Sequence, residues 1–491
     1  LIMKKLLFIV LLGVFTLPVF AQTTSRMAMR KLNLAEYAIS QLYVDSVNEN
    51  SLVESAIVKM LSQLDPHSTY SNPDEVKEMN EPLQGNFDGI GVQFQMMEDT
   101  LLVIQPVSGG PSEKVGILAG DRIIAVNDSA IAGVKLSTED IMKRLRGPKG
   151  TKVDLTVLRR EVRDLLHFTV KRDKIPLYSL DAAYMIEPGI GYIRVSRFAM
   201  TTGKEFLEAM QKLQAKGMVD LILDLQGNGG GYLGMAAKIA SEFLPSGDLI
   251  VYTKTRGGVY GDDFRSQGSG LMRKGRLVVL VDEYTASAAE IVAGAIQDHD
   301  RGIIVGRRTY GKGLVQRPIE LEDGSMIRLT IARYYTPAGR CIQKPYEKGD
   351  SKTYGRDVIE RYNRGERTNA DSIHFPDSLR YTTLVKGRTV YGGGGIMPDR
   401  FVPLDTNRYT KLYRELSARS YIINTSLHFM DEHRTQLKST YGTFQLFNAN
   451  FQIPQQTIDE MLAEAKKKDK LEAIDGDERH KPVPLIGRML K

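Results

Sequence analysis

The chain has 491 residues, with 42% hydrophobic and 25% charged side chains, an ordinary globular balance with room for two to four domains. Its formal charge of +7 is spread along the chain in short runs such as Lys466-Lys467-Lys468, which argues against a nucleic-acid surface. A single cysteine, Cys341, excludes an internal disulfide, and the seven histidines show no zinc-ligand spacing, so neither a metal nor another cofactor is expected.

Residues 3–21 read as a secretory signal. Lys4-Lys5 form the charged start, Leu6–Leu12 the apolar stretch, and Val19-Phe20-Ala21 a small-residue cleavage site just after Pro18. Residues 1–21 are therefore expected to be removed on export, with a periplasmic destination. Gln22, not Cys, follows the site, which does not fit a lipoprotein signal. No later apolar run is long enough to span a bilayer.

An N-terminal helical region is expected over 26–82. Leu32, Leu34, Ala35, Ala38, Ile39 and Leu42 form one apolar stripe, and Leu52, Val53, Ala56, Ile57, Met60 and Leu61 a second. Asp65-Pro66 ends the second helix, and an irregular stretch is expected from there to Pro82. Residues 83–172 change to short strands, at Gly91–Met96, Leu101–Pro106, Asp121–Val126, Lys152–Arg159 and Leu165–Val170, with one amphipathic helix after Ser137. From 173 to 405 strands alternate with helices: Val219–Leu225, a helix from Leu233, Leu277–Val281, a helix from Ala286, then Ile303–Val305. That order predicts a layered α/β domain. Residues 406–491 read as mostly helical.

Four local patterns carry chemistry. Ser287, in Asp282-Glu-Tyr-Thr-Ala-Ser-Ala-Ala-Glu290, falls at a strand-to-helix turn, where the free N–H of Ala288 could stabilise an oxyanion. A capping serine is the other reading, and Glu290 completes a capping-box pattern. Gly227-Asn-Gly-Gly-Gly231 follows a buried strand, and its backbone can approach a ligand closely as well as serve as a plain turn. Lys312, in Thr309-Tyr-Gly-Lys-Gly-Leu-Val-Gln316, can act as a base if burial destabilises its ammonium; period-two geometry would put Gln316 on its face. In the β-rich unit, Gly89-Ile90-Gly91-Val92 joins a turn to a strand and could capture a peptide's terminal carboxylate while the peptide adds as a strand; a barrel turn without a ligand also fits.

Competing motifs are weaker. Gly306–Lys312 matches the first part of a phosphate-binding loop, but Gly313 stands where Ser or Thr is needed and strands follow instead of a helix. His299 lies at the far end of the helix after Ser287, roughly 18 Å away at helical rise, so it cannot complete a Ser-His-Asp triad. His67 reads as a turn or packing residue, and Cys341 has no evident partner as a nucleophile.

Taken together, these motifs resemble the carboxyl-terminal processing peptidases, or tail-specific proteases, over roughly residues 36–405. The resemblance includes Tyr43-Val-Asp45, Leu64-Asp-Pro-His-Ser68, the PDZ-like run 83–172, Asp224–Gly231, Ser287–Glu290, Gly311–Gln316 and Gly392-Gly-Gly-Gly-Ile-Met-Pro-Asp399. The Gly-Asn-Gly-Gly-Gly loop is similar to that of Bacteroidetes members. The resemblance implies a core of the ClpP/crotonase type with an inserted PDZ domain, Ser287 as nucleophile, Lys312 as general base, Gln316 as its supporting amide, and oxyanion donors from Ala288 and from Gly229 or Gly230. It also implies protein or peptide substrates with apolar C-termini, an adaptor protein, a homodimer through the terminal helices, and gating of the site by the PDZ domain. Gln226, Gly229-Gly230-Gly231 and Ala289 depart from the common family pattern, and Gln226 leaves the anchoring of the glycine loop open. The alternatives are a catalytically inactive PDZ scaffold that only binds peptides, and a non-peptidase hydrolase.

Overall fold

A computed structural model describes residues 26–160, 162–405 and 410–471. The expected signal, residues 1–21, lies outside these. None of the described helices is long and apolar enough to cross a membrane.

The centre is a six-stranded sheet. Ile190–Val195, Asp220–Asp224, Leu277–Val281, Ile303–Gly306 and Arg400–Phe401 run parallel in that order, and Leu180–Glu187 closes one edge antiparallel to Ile190–Val195. Ile193, Val195, Leu221, Leu223, Val279 and Val281 are buried, as near-continuous apolar strands require when both sheet faces are covered. Helices Thr202–Ala215 and Leu233–Ser241 pack on this sheet. Helix Ala288–Asp298 is buried along its whole length, because it lies between the parallel sheet and a second sheet. The second sheet contains Leu249–Lys254, Tyr260–Arg265, Met326–Tyr335 and Leu314–Glu320.

Two segments tie other units to this core. Thr69–Ser71 pairs antiparallel with Met326–Tyr335, so the N-terminal region contributes a strand to the second sheet. Asn86–Gly89 pairs with Asp173–Pro176 and closes a two-stranded stem at the base of the β-rich unit. That unit is a sheet of Val92–Met97, Thr100–Pro106, Arg122–Val126, Lys152–Leu158 and Leu166–Lys171 with its own core of Leu101, Val103, Ile123, Val153 and Val157. Its helix Thr138–Leu145 is capped by the Ser137 side chain, which accepts from the Asp140 N–H.

One sequence expectation needs correction. The stretch after Asp65-Pro66 is not irregular: besides the short strand it holds helix Pro73–Gln84. Asn72 and Glu75 form a full capping box there, Pro73 sits in the first turn, and Pro82 falls inside the helix without ending it. The first apolar stripe, on the helix over residues 26–42, is not buried within the chain; Leu34 is 68% and Leu42 78% exposed.

At the end of the buried helix, Asp298 accepts from Arg340 at 2.5 Å and from the Ala338 N–H at 2.8 Å, with both charged side chains fully buried. Removing one member of such a pair strands the other. Asp298→Ala is expected to destabilise the protein by about 3–5 kcal/mol in denaturant melts. Loss of the exposed Lys143–Glu139 pair should be barely measurable.

Candidate active site

Ser287 stands at the end of a central parallel strand, where the chain turns into the buried helix. Its backbone is in an unfavourable region, φ +56° and ψ −118°. A β-carbon-bearing residue held there is strained, and such strain is characteristic of turns that present a nucleophile. Nothing in the local sequence marks this conformation, since the Gly-x-Ser-x-Gly pattern is missing.

Glu290 holds the turn. It is fully buried, and its carboxylate accepts from the Ser287 N–H at 2.8 Å. The same carboxylate accepts from the Lys312 N–H at 2.9 Å, the Gly311 N–H at 2.7 Å and the Thr309 hydroxyl. One residue therefore fastens the serine turn to the lysine loop. Burial pushes its carboxyl up, opposed by these donors. The sequence signals only the capping half of this role. Tyr334, also buried, lies with its hydroxyl 2.6 Å from the Lys312 carbonyl and 3.1 Å from that of Ser287, a second clamp on the same two segments.

The glycine loop comes from the neighbouring strand. A β-carbon on Gly230 (φ +105°) would lie 2.9 Å from Ser287 Cβ and 3.1 Å from the Ala288 nitrogen, so only glycine fits against the serine turn. Asn228, fully buried, takes the Gly230 N–H on Oδ1 at 2.8 Å and donates Nδ2 to the Val195 carbonyl at 2.8 Å; its own carbonyl accepts from the Ala286 N–H at 2.9 Å. The Gly230 N–H is thus engaged. Among the described residues the N–H groups of Gly229 and Ala288 have no acceptor. Gln226 leaves the loop well anchored: its N–H goes to Asp224 and the Gly227 N–H to Asp282.

Lys312 shares one cavity of about 650 Å³ with Ser287, Ala288, Gly229, Gly230 and Gln316. Burial, then the positive charge of Arg328, lowers its pKa below the ordinary lysine value, with Glu290 and Asp65 opposing. No hydrogen bond joins Lys312 Nζ to Ser287 Oγ or to Gln316 in this structure. Gln316 Nε2 instead meets Thr330 Oγ1 at 3.3 Å, and that hydroxyl donates to Asp65 at 2.9 Å. Period-two reasoning does not apply to Lys312 and Gln316, because the strand begins at Leu314 and a bulge lies between Val315 and Gln316. Both residues still line the cavity.

The remaining candidates lie elsewhere. His299 caps the far end of the buried helix, 2.7 Å from the Leu249 carbonyl. His67 is 2.9 Å from the Tyr354 hydroxyl; burial and then Lys312 lower its pKa to about 4, which keeps the ring neutral beside the lysine. Burial raises the Cys341 thiol pKa. In the β-rich unit, Ile90, Gly91 and Val92 line a groove of about 490 Å³ with Met142, Leu145 and Arg146. The Ile90 and Gly91 N–H groups have no acceptor among the described residues. Gly89 lies just outside this groove, in the stem opposite Asp173.

The chain is 34% identical over 345 residues to the carboxy-terminal processing protease CtpA of Bacillus subtilis (strain 168), an alignment covering 68% of this chain and 73% of that protein. Residues 189–352 match peptidase family S41. The chain belongs to that family. Residues 89–172 match the PDZ domain, 19–75 the N-terminal domain of the activating protease CtpB, and 412–491 a family of unknown function. The carboxy-terminal-processing protease of Bartonella bacilliformis (strain ATCC 35685 / KC583 / Herrer 020/F12,63) is 36% identical over 307 residues, 61% of this chain and 69% of that protein. A solved photosystem II D1 C-terminal processing protease is 26% identical and covers 76% of this chain and 86% of its own, with a TM-score of 0.39. This S41 chain is thus a carboxy-terminal processing serine protease with a PDZ domain on an α/β fold.

The depressed Lys312 pKa has a signed consequence for stability. Between the folded and unfolded pKa the unfolded chain binds more protons, so stability rises with pH across that window. Below the folded pKa the buried ammonium is a full cost. Lys312→Met is therefore expected to raise the thermal midpoint at neutral pH. The gain should shrink to nothing as pH passes about 10.5, the usual lysine value, in paired melts of the two proteins.

Proposed function

We propose that Ser287 and Lys312 carry the S41 chemistry as a Ser-Lys pair on peptides delivered by the PDZ domain. The observation that carries this reading is the single cavity in which a strained serine, a lysine of lowered pKa and two unpaired backbone N–H groups meet. Neutral Lys312 takes the Ser287 hydroxyl proton as Oγ attacks the scissile carbonyl carbon. The oxyanion is held by the N–H groups of Ala288 and Gly229, with Gly230 supplying the close approach of the loop. The lysine ammonium then protonates the leaving amine, and the C–N bond breaks to leave an ester on Ser287. Lys312 next deprotonates a water, which attacks the ester; the acid product leaves and Ser287 regains its proton. Gln316 orients the amine. Ile90, Gly91 and Val92, with Gly89 setting the turn, receive the apolar C-terminus of an unfolded or processed protein along the groove.

The working divisions are a signal at 1–21, an N-terminal helical region at 26–82, the PDZ domain at 83–172, the peptidase core at 173–405 and a mostly helical region at 406–491. The cleaved signal implies a periplasmic enzyme. The exposed stripe of residues 26–42 fits a homodimer contact, and an adaptor protein could deliver substrates.

Cleavage of an unstructured protein with an apolar C-terminus is expected to fall by roughly a thousandfold or more in Ser287→Ala and in Lys312→Ala. Equal cleavage in all three proteins would assign the activity to another nucleophile. For the homodimer, Leu34→Glu with Leu42→Glu should halve the mass seen in sedimentation; an unchanged mass would remove this stripe from the interface.

A further inference from the structure

The cavity around Ser287 is lined by three cationic side chains, Arg197, Lys312 and Arg328, and by no Asp or Glu. Lys312 has a part in the proposed chemistry. Arg328 acts there only through its charge, and, like the partly buried Arg197 at the same cavity, it lacks the carboxylate or carbonyl partners that the arginines built into the core have. Arg340 is paired with Asp298, Arg307 with Glu283 and Arg361 with Asp357. Arg301 donates to the carbonyls of Phe243, Met272, Lys274 and Gly275. Arg328, partly buried on strand Met326–Tyr335, has only the thioether of Met79 as a hydrogen-bond partner, and no ion pair reaches it among the described residues.

A guanidinium drawn out of water without an anion is costly, and an anion entering the same space recovers that cost. The guanidinium fork matches a carboxylate through two parallel N–H···O bonds. The position is close enough to the reaction for the charge of Arg328 to act on Lys312. We propose that Arg328 is a carboxylate-binding subsite of the cleft, selecting peptides that carry a carboxylate within a few residues of the bond cut. The carboxylate is either an acidic side chain or the terminal α-carboxylate of a short tail. This rests on the Ser287–Lys312 reading for where that bond lies.

The test uses the full chain, its Arg328→Gln and Arg328→Lys variants, and two pairs of peptides. One pair differs only by Glu against Gln near the cut bond, the other only by a free against an amidated C-terminus. The PDZ groove is the same in all three proteins, so a change in the ratio within a pair reports the cleft. Wild type is expected to prefer the carboxylate member of one pair by about tenfold or more in kcat/KM. That ratio should collapse toward one in Arg328→Gln, and the pair that collapses names the source. Arg328→Lys keeps the charge but not the fork and should retain part of the ratio. Ratios unchanged by both substitutions would overturn the proposal. Should the Gln variant fail to fold, an unchanged ratio in Arg328→Lys overturns it equally. The same ratios measured as binding to Ser287→Ala and to Ser287→Ala with Arg328→Gln need no cleavage. Cleavage persisting in Ser287→Ala would sink the nucleophile assignment, while the binding ratios would still decide the subsite.

Discussion

The site depends on one buried carboxylate. Glu290 belongs to the helix that follows Ser287, yet three of the four hydrogen bonds its carboxylate accepts come from the Lys312 loop in the next strand–loop unit. Hydrogen bonds to an ionised group contribute about 1.5–3 kcal/mol each, far more than exposed ion pairs. Two loops separated by a complete helix and strand are thereby set at a fixed distance. The strained backbone of Ser287 persists because this carboxylate and the Tyr334 hydroxyl hold both sides of the turn.

Around that anchor, neighbouring elements each add one restraint. Asn228 fixes the glycine loop to the parallel sheet on one side and to the serine turn on the other. The Gly392–Asp399 segment backs the lysine loop: the Ile396 N–H donates to Thr309, and a β-carbon on Gly395 would lie 2.5 Å from the Thr309 carbonyl. Asp65, from the N-terminal region, reaches Gln316 through Thr330. Parts of the chain far apart in sequence thus converge on a few ångströms of cleft, as preorganised catalysis requires.

The electrostatics follow from the same packing. The Lys312 ammonium is destabilised chiefly by burial, assisted by Arg328 on the adjacent strand, as the proposed role of a base requires. No Asp or Glu lines the cleft beside these cations, although Glu290 and Asp65 partly offset the Lys312 charge from outside the lining, and this cationic lining is what the proposed carboxylate subsite rests on. The cost is borne by the folded state at neutral pH, a trade of stability for function.

Much was legible in the chain itself. Apolar runs and helix periodicity located three of the five parallel strands, and the helices after Gly231 and Ser287, to within a residue or two, because burial on both faces imposes a pattern that local sequence must carry. The motifs also placed Ser287, Lys312, Gln316 and the glycine loop in one family constellation. Other features were decided only by the fold. The helix Pro73–Gln84 was hidden because Pro82 reads as a breaker, although the Asn72–Glu75 box was there to be seen. The Gly230 N–H is taken by Asn228, a contact set by loop geometry rather than residue type. The bulge after Val315 broke the alternation on which the lysine–glutamine argument relied. The double role of Glu290 and the unpaired state of Arg328 arise from residues distant in sequence. Side-chain identity sets what each group can do, and only tertiary packing decides which groups are within hydrogen-bonding distance.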